Sequence, residues 1–192
     1  LEAVDVEWIR LMYFYPMYID DRLIEKISAS KKIIPYIDIP LQHINDQMLR
    51  RMARRVTRQE TEDLLDQLRT GIPDLALRTT LITGVPGETD EQFEELVEFV
   101  QKHKFERLGV FTYSYEPDTP AAKLPDQVSE EVMNERRDRL MAVQQEIAFD
   151  WNDAQVGRQL EVMIDSPIET PEGEPEAWIG RSYGEAPDVD GV

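Results

Sequence analysis

The stretch LRTTLITGVPGETDEQFEEL, residues 77–96, decides the fold class. An apolar and β-branched run, Leu77–Thr83, ends in the turn Gly84-Val85-Pro86-Gly87-Glu88, and a helical pattern starts directly afterwards. Thr89 stands three residues before Gln92, the spacing of a capping box, and Phe93, Leu96, Val97 and Val100 then mark one helical face. Acids fill the first turn of that helix and Lys102 and Lys104 close the last one, as the helix dipole favours. A strand passing through a glycine-containing turn into a capped helix is half of a βα unit, the building block of a parallel sheet.

The same rhythm extends in both directions. Further strands are predicted at Trp8–Tyr13, Tyr36–Ile39 and Leu108–Tyr113. The strand starts lie roughly 30–40 residues apart, enough for one helix and two loops, as a parallel crossover requires. The box Thr57-Arg58-Gln59-Glu60, with Thr61, Leu64, Leu65 and Leu68 behind it, predicts a helix over 57–69. Shorter helices are expected after Asp20, burying Leu23, Ile24 and Ile27, and after Asn45, burying Met48, Leu49 and Met52. A long helix from Ser129 to about Asn152 would turn Met133, Leu140, Val143, Ile147 and Trp151 inward. A barrel and a doubly wound sheet both satisfy this α/β pattern. Past Gly157 the texture changes, with strands expected at Leu160–Ile164 and Ala177–Ser182 around a proline- and glutamate-rich loop, Ser166–Glu176. The reading therefore divides the chain into residues 1–155 and a small β-rich domain beginning at 156–192.

Composition removes several function classes. The 192 residues hold 39 Asp and Glu against 21 Lys and Arg, a net charge of -18, and no cysteine. Without cysteine the chain has no disulfide, no thiolate-bound metal or cluster and no cysteine nucleophile. The acidity argues against a broad phosphate-binding face and favours a basic partner. No apolar run reaches the roughly 18 residues of a membrane span, and nothing at the start resembles an export signal, so cytoplasm is the expected compartment.

In parallel α/β folds the loops at the carboxyl ends of the strands build the site. Those loops carry Tyr15-Pro16, Pro40-Leu41-Gln42-His43, Gly84-Val85-Pro86-Gly87-Glu88 and Ser114-Tyr115-Glu116. The glycine turn has the form of a cradle whose helix-start amides face a polar ligand edge, although a capped βα turn contains Gly and Pro for purely local reasons as well. His43 reads first as structural, and His103 needs no role beyond its place near a helix end. Arg50, Arg51, Arg54, Arg55 and Arg58 form the only basic cluster, more readily explained by neighbouring carboxylates or solvent than by phosphate. No HExxH, GxSxG or Walker loop is present, so chemistry alone names no reaction.

At the same segments the sequence resembles a known family. PYIDIPLQH (35–43), MLRRMARRVTR (48–58), LRTTLITGVPGETDEQFEEL (77–96), RLGVFTYSYEPDTPA (107–121) and GRSYGEAPDVDGV (180–192) are similar, in order, to the radical S-adenosylmethionine methylthiotransferases. His43 after Pro-Leu-Gln, and the last of these segments, point to the branch that methylthiolates an aspartate of small-subunit ribosomal protein S-twelve. The tRNA-modifying branch usually carries Ser at that place. Pro117-Asp118 departs from the more usual Glu-Gly before Thr119. The resemblance implies the later strands of a partial (β/α) barrel followed by the start of a β-rich TRAM domain. It implies S-adenosylmethionine and two 4Fe-4S clusters as cofactors, with no cluster ligand in this chain, so that this polypeptide alone would be inactive. Gly84, Pro86, Gly87 and Glu88 and the strand end Tyr113-Ser114 would then help hold the nucleoside, with Gln42 and Arg78 lining the same pocket. The implied partner is ribosomal protein S-twelve or the ribosome, and the acidity supports it. A tRNA methylthiotransferase and a non-catalytic acidic module that binds basic proteins are the competing readings.

Overall fold

A computed structural model describes residues 3–171, 175–187 and 189–190. Four strands, β1 (Ile9–Leu11), β2 (Ile33–Asp38), β3 (Ala76–Thr83) and β4 (Arg107–Thr112), form one parallel sheet in the spatial order β1-β2-β3-β4. Each strand adds beside its predecessor and the order never reverses. A doubly wound sheet reverses at its switch point, so this winding is that of an open segment of a (β/α) barrel.

The crossovers are α1 (Asp21–Ala29), then α2 (Asp46–Arg51) with α3 (Arg58–Gly71), and α4 (Asp90–His103), while α5 (Glu130–Asp153) follows β4. Local signals set their starts. Asp20 and Asn45 cap α1 and α2, Ser129 caps α5, and both predicted capping boxes form, Thr57 with Glu60 on α3 and Thr89 with Gln92 on α4. The helices cover one face of the sheet. There Ile24, Ile27, Ile37, Leu65, Leu68, Leu77, Leu81, Phe93, Leu96, Phe99, Phe105 and Leu140 share one core. The other face is concave, and Ile34, Tyr36 and Ala76 on it pack with Trp8, Met12, Tyr183 and Ala186.

Three boundaries differ from the sequence reading for physical reasons. Tyr13, expected inside the first strand, adopts a left-handed backbone (φ 61°) that ends pairing at Leu11. The second strand begins at Ile33 rather than Tyr36, and Pro35 is tolerated inside it. Pairing with β1 is irregular there and pairing with β3 starts only at Tyr36, so no ladder N–H is required of the proline. In the carboxyl-terminal region α5 ends at Asp153, and an antiparallel pair follows, β5 (Met163–Ile168) and β6 (Ala177–Arg181). The stretch expected as loop from Ser166 therefore opens with three paired strand residues, Pro167 lying opposite Trp178. A two-stranded ribbon has only edges, and an edge accepts a residue without an N–H.

Candidate functional site

All four sheet strands end at one rim. There Gln42, in a left-handed conformation (φ 72°), donates its N–H to the Thr80 carbonyl (2.9 Å) and accepts from the Ile82 N–H (2.8 Å), extending the strand-two side of the sheet beyond Asp38. On the other side of β3, the Tyr113 N–H donates to the Thr83 carbonyl (2.9 Å). Gln42, the Gly84–Glu88 turn and Tyr113 are thus brought together around the end of one central strand. Ser114 is exposed just past it.

The turn itself is built differently from the cradle expected. Gly84 and Gly87 have positive φ (75° and 79°), as a turn of this kind requires. Its amides, however, are engaged internally. The Gly84 N–H donates to a Glu88 carboxylate oxygen, the Gly87 N–H to the Asp126 carbonyl (2.7 Å) and the Glu88 N–H to the Val85 carbonyl (2.9 Å). The expectation that this turn offers its backbone amides to a ligand is corrected accordingly, and Glu88 points under the loop rather than into the pocket. The close approaches that the glycines permit are to protein. A Cβ at Gly84 would lie 2.1 Å from Met133 Cγ, and one at Gly87 would lie 1.7 Å from the Arg51 guanidinium.

The basic cluster is neither a phosphate site nor a solvated face at its two central members. The Arg51 guanidinium donates to the Pro86 carbonyl (2.7 Å), and Arg54 donates to the Pro40 carbonyl (2.6 Å) while lying over the Tyr15 ring. The Tyr15 hydroxyl in turn accepts from the Arg55 N–H (3.0 Å). The last residue of α2 and the segment after it therefore fasten the loops that follow β1, β2 and β3. Sequence reasoning weighed these arginines against carboxylates and solvent. It had no local signal for backbone carbonyls brought close only by the fold.

Beneath the turn lies a buried polar bed. Arg136 of α5 donates to the Asp90 carboxylate (2.6 Å) and the Glu88 carbonyl (3.3 Å), with the Glu88 carboxylate 3.4 Å away. Burial holds the Glu88 carboxyl above its usual range, against the opposing pull of the Gly84 N–H and Arg136. His43 is almost fully buried, and its Nδ1 accepts from the N–H groups of Ile44 (2.9 Å) and Asn45 (3.0 Å), which places the remaining proton on Nε2. Burial, and secondarily the charge of Arg136, push its pKa down to about 4 from 6.5.

This makes His43 a source of acid sensitivity. Its folded-state pKa lies below the unfolded one, so its contribution is intact above about pH 6.5. Below that the unfolded chain takes up the proton first, and stability falls until about pH 4. His43 alone should remove about 2 kcal/mol between pH 7 and pH 5 by this linkage. Urea unfolding at the two pH values, compared with His43→Gln, measures it. Equal pH slopes in both proteins would refute the assignment.

Arg78 sits on the concave face, two residues below Thr80. Its guanidinium is held by Asp38 (2.9 Å), which is fully buried, and by Asp190 (3.3 Å). Near the rim, the Tyr113 hydroxyl is buried and has no hydrogen-bond partner among the described residues. An unpaired buried hydroxyl on the segment that ends in the exposed Ser114, with the half-buried Gln42 on the other side of β3, suits a ligand with ribose or base edges, such as the nucleoside of S-adenosylmethionine. A 4Fe-4S cluster does not fit this chain, because it has no cysteine and no group of three potential metal-binding side chains occurs among the described residues.

Residues 1–100 match the model of the radical SAM superfamily. Over 98% of its length the chain is 51% identical to the ribosomal protein uS12 methylthiotransferase RimO of Lachnoclostridium phytofermentans, and over 97% it is 49% identical to the protein of that name from Desulfitobacterium hafniense. It spans only 42% and 41% of those two relatives. Among solved structures, coproporphyrinogen III oxidase (HemN) from Escherichia coli, a radical SAM enzyme, superposes with a TM-score of 0.60 at 20% identity. The superposition covers 73% of this chain and 32% of that one.

Proposed function

The chain belongs to the radical SAM superfamily, and on that premise we propose that it is part of a methylthiotransferase acting on an aspartate of small-subunit ribosomal protein S-twelve. The observation that carries the reading is similarity at 51% identity along nearly the whole chain to a protein of that name. The rim geometry supports it, since the resembled residues Gln42, Gly84 and Tyr113 meet at one strand end. In this reading residues 1–155 are later strands of the barrel and 156–192 begin the TRAM domain.

One molecule of S-adenosylmethionine, reduced by an iron–sulfur cluster, would supply a carbon radical and leave as methionine, and a second, intact molecule would supply the methyl group. The chain's own residues bind and orient. Tyr113 and Gln42 would hydrogen-bond the nucleoside, Ser114 would contact its exposed edge, and Gly84, Pro86, Gly87 and Glu88 would fix the rim's shape as one braced turn. Arg78 would order the concave wall through Asp38. Cluster ligands would come from polypeptide other than this, so the 192 residues alone would be catalytically inactive.

The acidity supports a basic protein substrate over tRNA, because a net charge of -18 repels a phosphate backbone. It also accords with action in the cytoplasm, where ribosomes are assembled. The experiment is to load the intact protein containing this chain with iron–sulfur clusters and present ribosomal protein S-twelve and tRNA separately. A thiomethyl group on the aspartate, read by mass spectrometry, is the expected result. Modification of tRNA alone would replace the proposal with its runner-up.

A further inference from the structure

Three arginines from three different strands, Arg10, Arg78 and Arg107, project onto the lower, amino-terminal half of the concave face. All three are met by the stretch that follows β6, through Tyr183, Glu185 and Asp190. Arg10 lies over the Tyr36 ring (4.1 Å) and donates to the carbonyls of Tyr183 (2.8 Å) and Glu185 (2.6 Å). Arg107 pairs with the Glu185 carboxylate (2.6 Å), and Arg78 with Asp190 (3.3 Å). The Tyr36 hydroxyl donates to Asp190 (2.7 Å). Ala186 is buried against Ile34, Tyr36 and Ala76.

The segment is shaped for this seat by its own carboxylates. Glu185 accepts from the Ser182 N–H (2.9 Å) and hydroxyl (2.7 Å), closing one turn. Asp190 accepts from the Ala186 N–H (2.9 Å), closing the next. Each acid thus folds its own turn and binds one arginine of the sheet. Here partly buried carboxylates and guanidinia from three strands converge, and pairing offsets the cost of withdrawing their charges from water.

The contact continues to the rim. Asp190 holds Arg78, and Arg78 donates to one carboxylate oxygen of Asp38 (2.9 Å). The other Asp38 oxygen accepts from the Tyr13 N–H (3.1 Å), and the Asp38 carbonyl accepts from the Phe14 N–H (2.8 Å). Tyr13 is in the left-handed region (φ 61°), which a residue with a side chain keeps only when its surroundings impose it. We propose that residues 182–187, with 189 and 190, form a floor under the concave face of the sheet. In this arrangement Asp190 is a positioning residue that fixes, through Arg78 and Asp38, the turn from Tyr13 to Tyr15 at the pocket's rim. The segment after the hairpin is then part of the site's wall, whatever ligand the site takes.

Removing the Asp190 charge leaves Arg78 and Asp38 as a matched pair, so Asp190→Asn should fold. Amide hydrogen exchange in the intact protein reads the effect. In Asp190→Asn the Tyr13 and Phe14 amides should exchange about tenfold faster, the factor expected when a charge-assisted hydrogen bond is weakened, while Leu81 and Val110 keep their protection. Glu185→Gln, which unpairs Arg107 without touching the Asp38 connection, should leave Tyr13 and Phe14 unchanged. If Asp190→Asn does not accumulate, Tyr36→Phe, which removes only the hydroxyl donor that holds Asp190 in place, should give a smaller acceleration confined to the same two amides. Unaltered exchange at Tyr13 and Phe14, a uniform acceleration across the sheet, or an equal effect from Glu185→Gln would each overturn the proposal.

Discussion

Replacing Arg136 by Met lowers the unfolding free energy by about 3–5 kcal/mol at pH 7, the range seen when one partner of a buried ion pair is removed. The side chain of Arg136 is 7% exposed, and that of its nearest buried partner, Glu88, is fully buried. Met fills much of the space of the arginine stem, so the loss comes from charge. Glu88 is left buried with only the backbone N–H groups of Gly84 and Val85 to offset its charge. The sign of the pH dependence follows. Glu88 already has a folded-state pKa raised by burial, and a group of this kind stabilises the fold as pH falls, because the folded state then holds its proton more readily than the unfolded chain. The same substitution relieves His43 of a neighbouring positive charge. Both effects shrink the Arg136→Met deficit at pH 5 relative to pH 7. Guanidinium unfolding of both proteins at the two pH values checks it, and a deficit below about 1 kcal/mol, the scale of an exposed pair, would show that Arg136 is not the brace of the turn.

Arg136 also marks the limit of what was legible in the sequence. Helices α3 and α4 could be placed within two residues because their signals are local, a Thr with Glu or Gln three residues on and an apolar face behind. The parallel sheet was legible from the recurrence of such units. In α5 the inward residues are Arg136, Leu140, Gln144 and Ile147, two of them polar. Their spacing matches a buried stripe, yet hydrophobicity alone hides them. Each is inward because distant chain supplies its partner, Glu88 and Asp90 for Arg136 and the Phe105 carbonyl (2.8 Å) for Gln144. The candidate site divides in the same way. Residues just past the strands could be named from the sequence, because topology puts strand ends together. The engagement of the turn's amides and the seating of Arg51 and Arg54 on carbonyls depend on tertiary approach, which no spacing reports.

Arg78→Met is expected to destabilise at least as much as Arg136→Met, by about 3–5 kcal/mol, and for a sharper reason. Arg78 stands between two carboxylates, and the side chains of Asp38 and Asp190 are 0% and 5% exposed. Without the guanidinium, two like charges share a space from which water is largely excluded, so the loss includes their repulsion as well as two unpaired acids. Arg78→Lys keeps the charge but not the fork, and a single ammonium group cannot reproduce one contact through Nη1 and another through Nε. It should recover part of the stability and restore only one of the two links. Adding Asp190→Asn to Arg78→Met removes one of the opposed charges and should return part of the loss, so the two substitutions together are less damaging than their sum. A double-mutant cycle by chemical unfolding measures this. Additive losses would mean that the two side chains act independently, and the concave face would then be a wall of separate contacts instead of one connected unit running from Asp190 to the rim.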